Sequence, residues 1–170
     1  MIKKIVLSSI FIAGALLVNA QYCNTFHKKY CQPAGNELFQ YNAQSKSALF
    51  AIGKTSELNI IVYGGQDYRI SLCTDKNLGE RVEFKIYEED KSTKKRDLLY
   101  DNSKDDYTSE IEFSNDYTRR LIIEVTVPDG SSAGKGNSVK DGGKGKSLQG
   151  SDMGCLGVLV EHMSTPKQGF

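Results

Sequence analysis

Short runs in which apolar and polar residues alternate constrain the fold of this chain more than any other feature of its sequence. The clearest run, residues 81–89, directs its apolar side chains to one side and its charged ones to the other. Residues 119–128 repeat the pattern and end at Pro128, which cannot donate a hydrogen bond to a sheet ladder. A period of two indicates a half-buried β-strand. The side chains predicted to face a core are Val82, Phe84, Ile86, Leu121, Ile123, Val125 and Val127.

Six further runs are predicted to be strands, and no long helical period follows residue 20. Gly64-Gly65 supplies a turn between two of them, and the charged tract 88–97 is predicted to be a solvated hairpin loop. About eight short strands predict an all-β chain that forms a single antiparallel β-sandwich, jelly-roll-like in type. The six runs are residues 47–52, 57–63, 68–73, 97–101, 108–113 and 155–163.

The first twenty residues have the features of a signal peptide. Lys3 and Lys4 precede an apolar run from Ile5 to Val18, and Ala20 fits the cleavage position. The apolar run is shorter than the roughly 20 residues that span a bilayer. We therefore expect an exported protein, either periplasmic, associated with the outer membrane or extracellular. The predicted organisation is a signal peptide (1–20), a cysteine-containing segment (21–44) and a sandwich domain (45–170) with a flexible loop at 129–152.

Four cysteines in an exported chain predict two disulfides, and three pairings are possible. We favour Cys23 with Cys31 and Cys73 with Cys155, because the last two lie at the ends of predicted strands. The alternative is a metal site, since Cys23, His27 and Cys31 recur every four residues and would share one face of a helix. A fourth protein ligand is missing from that segment, and this favours disulfides.

The glycine- and lysine-rich tract 130–147 nearly contains two catalytic motifs. Gly145-Lys146-Ser147 resembles a phosphate loop, but Lys140 stands where the first glycine is required. Ser132 lies in a literal Gly-x-Ser-x-Gly, but no helix follows to hold a nucleophile. We therefore predict no catalytic residue here, and instead a loop that binds an acidic protein or an anionic glycan. The cations proposed for that contact are Lys135, Lys140, Lys144 and Lys146.

One loop partly matches a calcium site. Asp101, Ser103 and Asp105 alternate, and Glu112 occupies the twelfth position, but Asp106 replaces the usual glycine. Calcium is the only cofactor that the sequence suggests.

Two sets of side chains are predicted to lie on the sheet surface. Glu110 and Glu112 share one wet face of a strand, where they aid solubility. Tyrosines that could stack on sugars are Tyr63, Tyr68, Tyr87, Tyr100 and Tyr107. Without Lys3 and Lys4 the chain has 20 basic residues against 21 acidic ones, and this balance argues against a nucleic-acid partner.

Residues 63–73 (YGGQDYRISLC), 83–90 (EFKIYEED), 98–103 (LLYDNS) and 121–128 (LIIEVTVP) carry a resemblance. With the leader ending in NAQ, the chain resembles an uncharacterised family of small exported proteins of Bacteroidota. Its strand pattern resembles the pre-peptidase C-terminal type of β-sandwich. The resemblance implies a non-catalytic accessory module of an envelope or secretion assembly.

From these observations we expect an exported, non-catalytic module that binds an envelope protein or a surface glycan. A calcium-dependent carbohydrate-binding module is the alternative, and a secreted hydrolase is the third hypothesis.

Overall fold

The computed structural model describes residues 23–79, 81–90, 92–129 and 152–166. The strands alternate in direction and form two antiparallel sheets. Sheet A contains β1 (Gln40–Tyr41), β2 (Lys46–Ala51), β4 (Gln66–Thr74), β7 (Glu110–Asn115) and β9 (Met153–Ser164). Sheet B contains β3 (Lys54–Val62), β5 (Glu83–Glu89), β6 (Arg96–Asp101) and β8 (Arg119–Val127).

Strand order places the long strands β8 and β9 inside the sheets. In sheet A, β9 pairs with β1 and β2 on one side and with β4 on the other, and β7 follows β4. In sheet B the order is β3, β8, β5, β6. The free edges of the sandwich are therefore β2 and β3 on one side and β7 and β6 on the other.

Apolar side chains from both sheets meet in one core, and this confirms the predicted antiparallel sandwich. All seven side chains predicted to face the core are buried. Sheet A supplies Tyr68, Ile70, Leu156, Val158 and Val160 from its two central strands. These residues alternate along their strands. Successive side chains of a strand point to opposite faces of the sheet, so all five face the core.

Three elements differ from the sequence prediction. The Gly64-Gly65 turn is present, but the strands it joins, β3 and β4, lie in different sheets. The two-residue strand β1 was not predicted, because it is too short to show a period. The third element is a short helix, α1 (Phe26–Tyr30), which was not predicted individually because five residues are too few to show a helical period.

The preferred disulfide pairing is wrong, because the structure joins Cys23 to Cys155 and Cys31 to Cys73. In the β4–β9 ladder, Cys73 lies opposite Gly157, so Cys155 is two residues out of register. Diagonal neighbours in a sheet are about 7–8 Å apart, beyond the reach of most disulfides. Each cysteine is bridged instead to the segment that lies over this face of sheet A.

That segment packs closely because β9 has a glycine beneath it. A Cβ atom on Gly157 would lie 2.8 Å from the Cα of His27 and 2.9 Å from Sγ of Cys73. Phe26 packs with the Cys23–Cys155 bridge in a small second cluster of buried residues. The outer face of sheet A is thus covered by the chain's own N-terminal segment, so apolar and charged residues are buried there.

Two predictions lie outside the described residues, namely the signal peptide at 1–20 and most of the flexible loop, residues 130–151. Within the described ranges, no helix is both long and apolar enough to span a membrane.

Candidate functional site

His27 anchors α1 to the outer face of sheet A. Its backbone N–H donates to Oγ of Ser47 at 2.8 Å, and its ring Nδ1 lies 2.5 Å from the same oxygen. Its Nε2 lies 3.1 Å from the hydroxyl of Tyr41. Burial, and then the nearby Lys28 and Lys46, lower the pKa of His27 below 6.5, so the ring is neutral at neutral pH.

A serine and a histidine in contact invite comparison with a hydrolase. Such a pair needs a third group to orient the base and donors to stabilise an oxyanion. Here the second ring nitrogen of His27 meets the hydroxyl of Tyr41, and no carboxylate of the described residues contacts the ring. The contact is best explained as an anchor between α1 and β2.

Arg69 forms a buried ion cluster on the same face. It projects from β4 and is only 4 % exposed. Its Nη1 donates to Oε2 of Glu161 at 2.6 Å and to the carbonyl oxygen of Gln32 at 3.1 Å. Its Nη2 pairs with Glu110, and its Nε lies 3.8 Å from Glu112. The two glutamates predicted to aid solubility therefore flank a buried cation.

The ion cluster also holds the covering segment in place. Burial opposes the charge of Arg69, but the hydrogen bonds that the guanidinium donates to Glu110 and Glu161 outweigh it and raise its pKa. The N–H of Ala34 donates to both oxygens of Glu161, at 3.2 and 3.1 Å. Every polar group of this cluster thus has a partner, and the cluster is structural.

An open groove lies on the other side of β2, between the free edges of the two sheets. Its volume is about 260 Å³. Side chains of β2 form one wall and side chains of β3 form the other, while β8 and β9 supply the floor. The apolar lining consists of Ala48, Phe50, Leu58, Val125, Leu156 and Val158, and the polar lining of Lys46, Ser47, Ser56 and Glu57.

The β3 edge beside this groove is closed at one end by Gln44. The amide nitrogen of the Gln44 side chain donates to the carbonyl oxygen of Ile61 at 2.9 Å, and the N–H of Ile61 donates to Oε1 of Gln44 at 2.7 Å. The backbone groups of Ile61 therefore point away from β8. At the other end, Ile52 and Gly53 carry the chain from β2 into β3.

The remaining backbone groups of this edge have no partner in the described part of the chain. In an antiparallel strand, alternate residues direct their N–H and C=O groups to the same side. Thr55, Glu57 and Asn59 therefore point theirs outward, as Ile61 does. The hydrogen bonds of the described residues include none to these groups.

One charged pair crosses the outer face of sheet B near this edge. Arg96 donates to both carboxylate oxygens of Glu57, at 2.6 and 3.1 Å. These hydrogen bonds lower the pKa of Glu57. Lys46, on the opposite wall of the groove, forms no ion pair with a described carboxylate. Among the described residues, the rim of the groove therefore carries one paired anion, Glu57, and one cation without an ion pair, Lys46.

The calcium candidates serve other contacts in the structure. Oδ1 of Asp101 accepts from the backbone N–H and the hydroxyl of Ser103, and Oδ2 of Asp105 accepts from the Tyr100 hydroxyl. Glu112 lies on β7, beside Arg69. Within the described residues, no group of three His, Cys, Asp or Glu side chains is arranged to hold a metal.

Lys135, Lys140, Lys144, Lys146 and Ser132 lie outside the described residues.

The tyrosines do not form one surface. Tyr68 is fully buried, which corrects its prediction as an exposed residue, because its ring belongs to the core and its hydroxyl accepts from the N–H of Tyr63. Tyr63 is exposed, and Tyr87, Tyr100 and Tyr107 are half-buried.

Sequence reasoning missed Arg69 and the groove. The alternation of residues 68–73 places Arg69 on the same face as Cys73, and a cysteine in a disulfide would have marked that face as covered. Alternation along residues 46–50 puts Ala48 and Phe50 on the same side of the strand, which is the side that faces the groove. Gln44 gives no signal, because a glutamine in a loop is ordinarily exposed.

No protein-family model matches the chain, and no similar sequence is found among curated proteins. Among solved structures, the chain is similar to the periplasmic inhibitor of g-type lysozyme, PliG, from Aeromonas hydrophila. The two share 10 % identity at a TM-score of 0.44, and the alignment covers 78 % of this chain and 92 % of PliG.

Proposed function

We propose that the protein is an exported, non-catalytic β-sandwich that binds a protein partner along the groove between β2 and β3. The observation that carries the proposal is the open β3 edge beside an apolar groove. Solvent-exposed edges are sites where another chain can pair, and apolar grooves with a few polar groups are common binding sites.

Export is supported by the cysteines. Both disulfides are formed, and all four cysteines are used in them. Disulfides persist in oxidising compartments, such as the periplasm and the extracellular space. We therefore place the protein outside the cytoplasm, as its leader sequence also suggests.

A protein partner fits the groove better than a small ligand does. Pockets for such ligands enclose about 300 to 1,000 Å³, whereas this groove is smaller and open along its length. Its apolar lining suits the side chains of a polypeptide more than the hydroxyl groups of a glycan.

The test is capture of a partner by variants of two adjacent residues. Ala48 lines the groove, whereas Leu49 points to the other face of β2 and is 45 % exposed. The tagged mature chain is incubated with solubilised envelope proteins of the producing organism. We expect wild type and Leu49→Glu to retain the same stoichiometric partner and Ala48→Glu to lose at least tenfold of it. Equal capture by both variants contradicts the proposal, as does the absence of any partner.

A further inference from the structure

We infer that the partner binds as an extended strand that hydrogen-bonds to the β3 edge between Thr55 and Asn59 and inserts alternate side chains into the groove. This inference rests on the proposed function, because it names the form of the partner that occupies the groove.

The backbone of β3 supplies the first reason. Three successive outward residues, Thr55, Glu57 and Asn59, each present an N–H and a C=O group, and within the described ranges none of these six groups is bonded. Only an extended backbone matches donors and acceptors at this spacing, because it repeats every two residues. Addition of a strand to an exposed edge is a recurring mode of peptide recognition.

Gln44 supplies the second reason. Its side-chain amide exchanges two hydrogen bonds with Ile61, which is the exchange that a paired strand residue would make with its own backbone amide. We call the outward N–H and C=O groups of one edge residue a rung. The side chain of Gln44 thus already occupies the rung at Ile61 in the way that a paired strand would. The three rungs beside it have the same geometry, and no described residue occupies them.

The groove determines which side chains the added strand carries. Leu58 and Ser56 on β3 face the groove, as do Ala48 and Phe50 on β2. A strand beside β3 would direct every second side chain into this space. We therefore expect two apolar residues separated by one residue in the bound segment.

The rim adds a charge requirement. Lys46 lines the groove two residues after Gln44, so it lies near the Asn59 end of the site. It lacks a carboxylate partner in the described part of the chain, whereas Glu57 is already paired with Arg96. An acidic residue in the bound segment, at the end nearest Asn59, would complement Lys46.

The length of the site is limited at both ends. The chain crosses between the sheets at Ile52 and Gly53, and Gln44 covers Ile61. Five residues of β3 remain, a span of roughly 16 Å at about 3.3 Å per residue. The bound segment is therefore a short peptide strand.

The probe is a displayed library of random dodecapeptides, selected on the mature chain and followed by synthesis of the enriched sequence. We expect enrichment of an acidic residue followed or preceded by two alternate apolar residues. When this peptide saturates wild type, hydrogen exchange at the amides of Thr55, Glu57 and Asn59 should slow at least tenfold. That measurement requires no variant.

A pair of variants tests the backbone contact directly. Asn59→Pro removes an outward N–H and leaves the β8 ladder intact, because Asn59 directs its N–H away from β8. Asn59→Val keeps that N–H and favours a strand. The peptide should bind Asn59→Pro at least tenfold more weakly than Asn59→Val, provided both variants melt cooperatively.

The outcomes separate this inference from the proposed function. Suppose that the peptide fails to bind Ala48→Glu, but leaves the three amides unprotected when it binds wild type. This result overturns strand addition and keeps the groove as a binding site. A library that yields no peptide overturns strand addition, while partner capture still decides the proposed function. A peptide that binds Ala48→Glu as tightly as it binds wild type contradicts both the proposed function and strand addition, since each assigns binding to the groove.

Discussion

Arg69 carries its charge on a covered face of the sandwich, so its contribution to stability depends on its neighbours. Replacement by alanine leaves Glu161, which is 5 % exposed, without its cation. Loss of one partner from a buried pair costs about 3–5 kcal/mol. We expect Arg69→Ala to lower the free energy of unfolding by that amount, measured by urea denaturation.

The matched control is Arg96, which pairs with Glu57 at similar distances but lies 39 % exposed. An exposed pair contributes about 1 kcal/mol or less. Arg96→Ala should therefore shift the urea midpoint much less than Arg69→Ala. Equal losses from the two variants would show that the covering segment does not exclude water from Arg69.

The lowered pKa of His27 predicts that the stability of the fold depends on pH. Its pKa is lowered in the folded protein, first by burial and then by Lys28 and Lys46, whereas the unfolded chain takes up this proton near pH 6.5. Between the lowered pKa and pH 6.5 the unfolded state binds more protons, so the free energy of unfolding falls as pH falls. We expect the melting temperature to decrease from pH 7.5 to 5.5, and to decrease less in His27→Asn. Parallel curves for the two proteins would contradict this assignment.

At the scale of the strands, the contact of Gln44 with the β3 edge predicts that removing its side chain changes stability and self-association. Gln44→Ala removes both hydrogen bonds to Ile61 and exposes a fourth rung. Each lost bond lowers stability by about 0.5–1.5 kcal/mol, and a longer free edge promotes pairing between chains. We expect a lower melting temperature and concentration-dependent dimers in light scattering. A variant that stays monomeric at millimolar concentration would show that edge length does not limit self-association.

The strands illustrate what the sequence could predict. Alternation in residues 81–89 and 119–127 gave the core-facing residues correctly, because burial of one face depends only on local periodicity. The sheet to which a strand belongs depends on contacts far along the chain, so the passage from β3 to β4 across the core was not predicted. Ile122 shows the same limit, since it lies on the polar side of its alternation and is nevertheless 2 % exposed.

The candidate site was less predictable than the fold. A groove between two edges requires knowledge of which edges are adjacent, and this follows from sheet order. Arg69 was overlooked, and Tyr68 was wrongly predicted to be exposed. Both are buried because the N-terminal segment covers one face of β4 and the core covers the other. The cysteines were recognised as bridged, but their partners required the β4–β9 register.

At the scale of the whole molecule, the two disulfides join the N-terminal segment to the sandwich. Cys23–Cys155 closes a separation of 132 residues and Cys31–Cys73 one of 42. Loss of a native bridge typically costs about 2–5 kcal/mol, more for a longer loop. We expect Cys23→Ser with Cys155→Ser to lower the melting temperature more than Cys31→Ser with Cys73→Ser.

The same bridges can be identified directly. Digestion without reduction, followed by mass spectrometry, should yield peptides that join Cys23 to Cys155 and Cys31 to Cys73. Peptides that join Cys23 to Cys31 would contradict the structure and restore the pairing favoured from sequence.

The position of β9 in the chain determines when sheet A can be completed. Among the described strands β9 comes last, yet it is the sheet neighbour of β1, β2 and β4 and carries Cys155, the partner of Cys23. Until it emerges, β1 and β2 have no pairing strand among the described elements, and Cys23 lacks its bridge partner. In a nascent chain of this topology, sheet A therefore stays incomplete until β9 has been synthesised. Formation of the Cys23–Cys155 bridge then reports that the first and last described segments have come together.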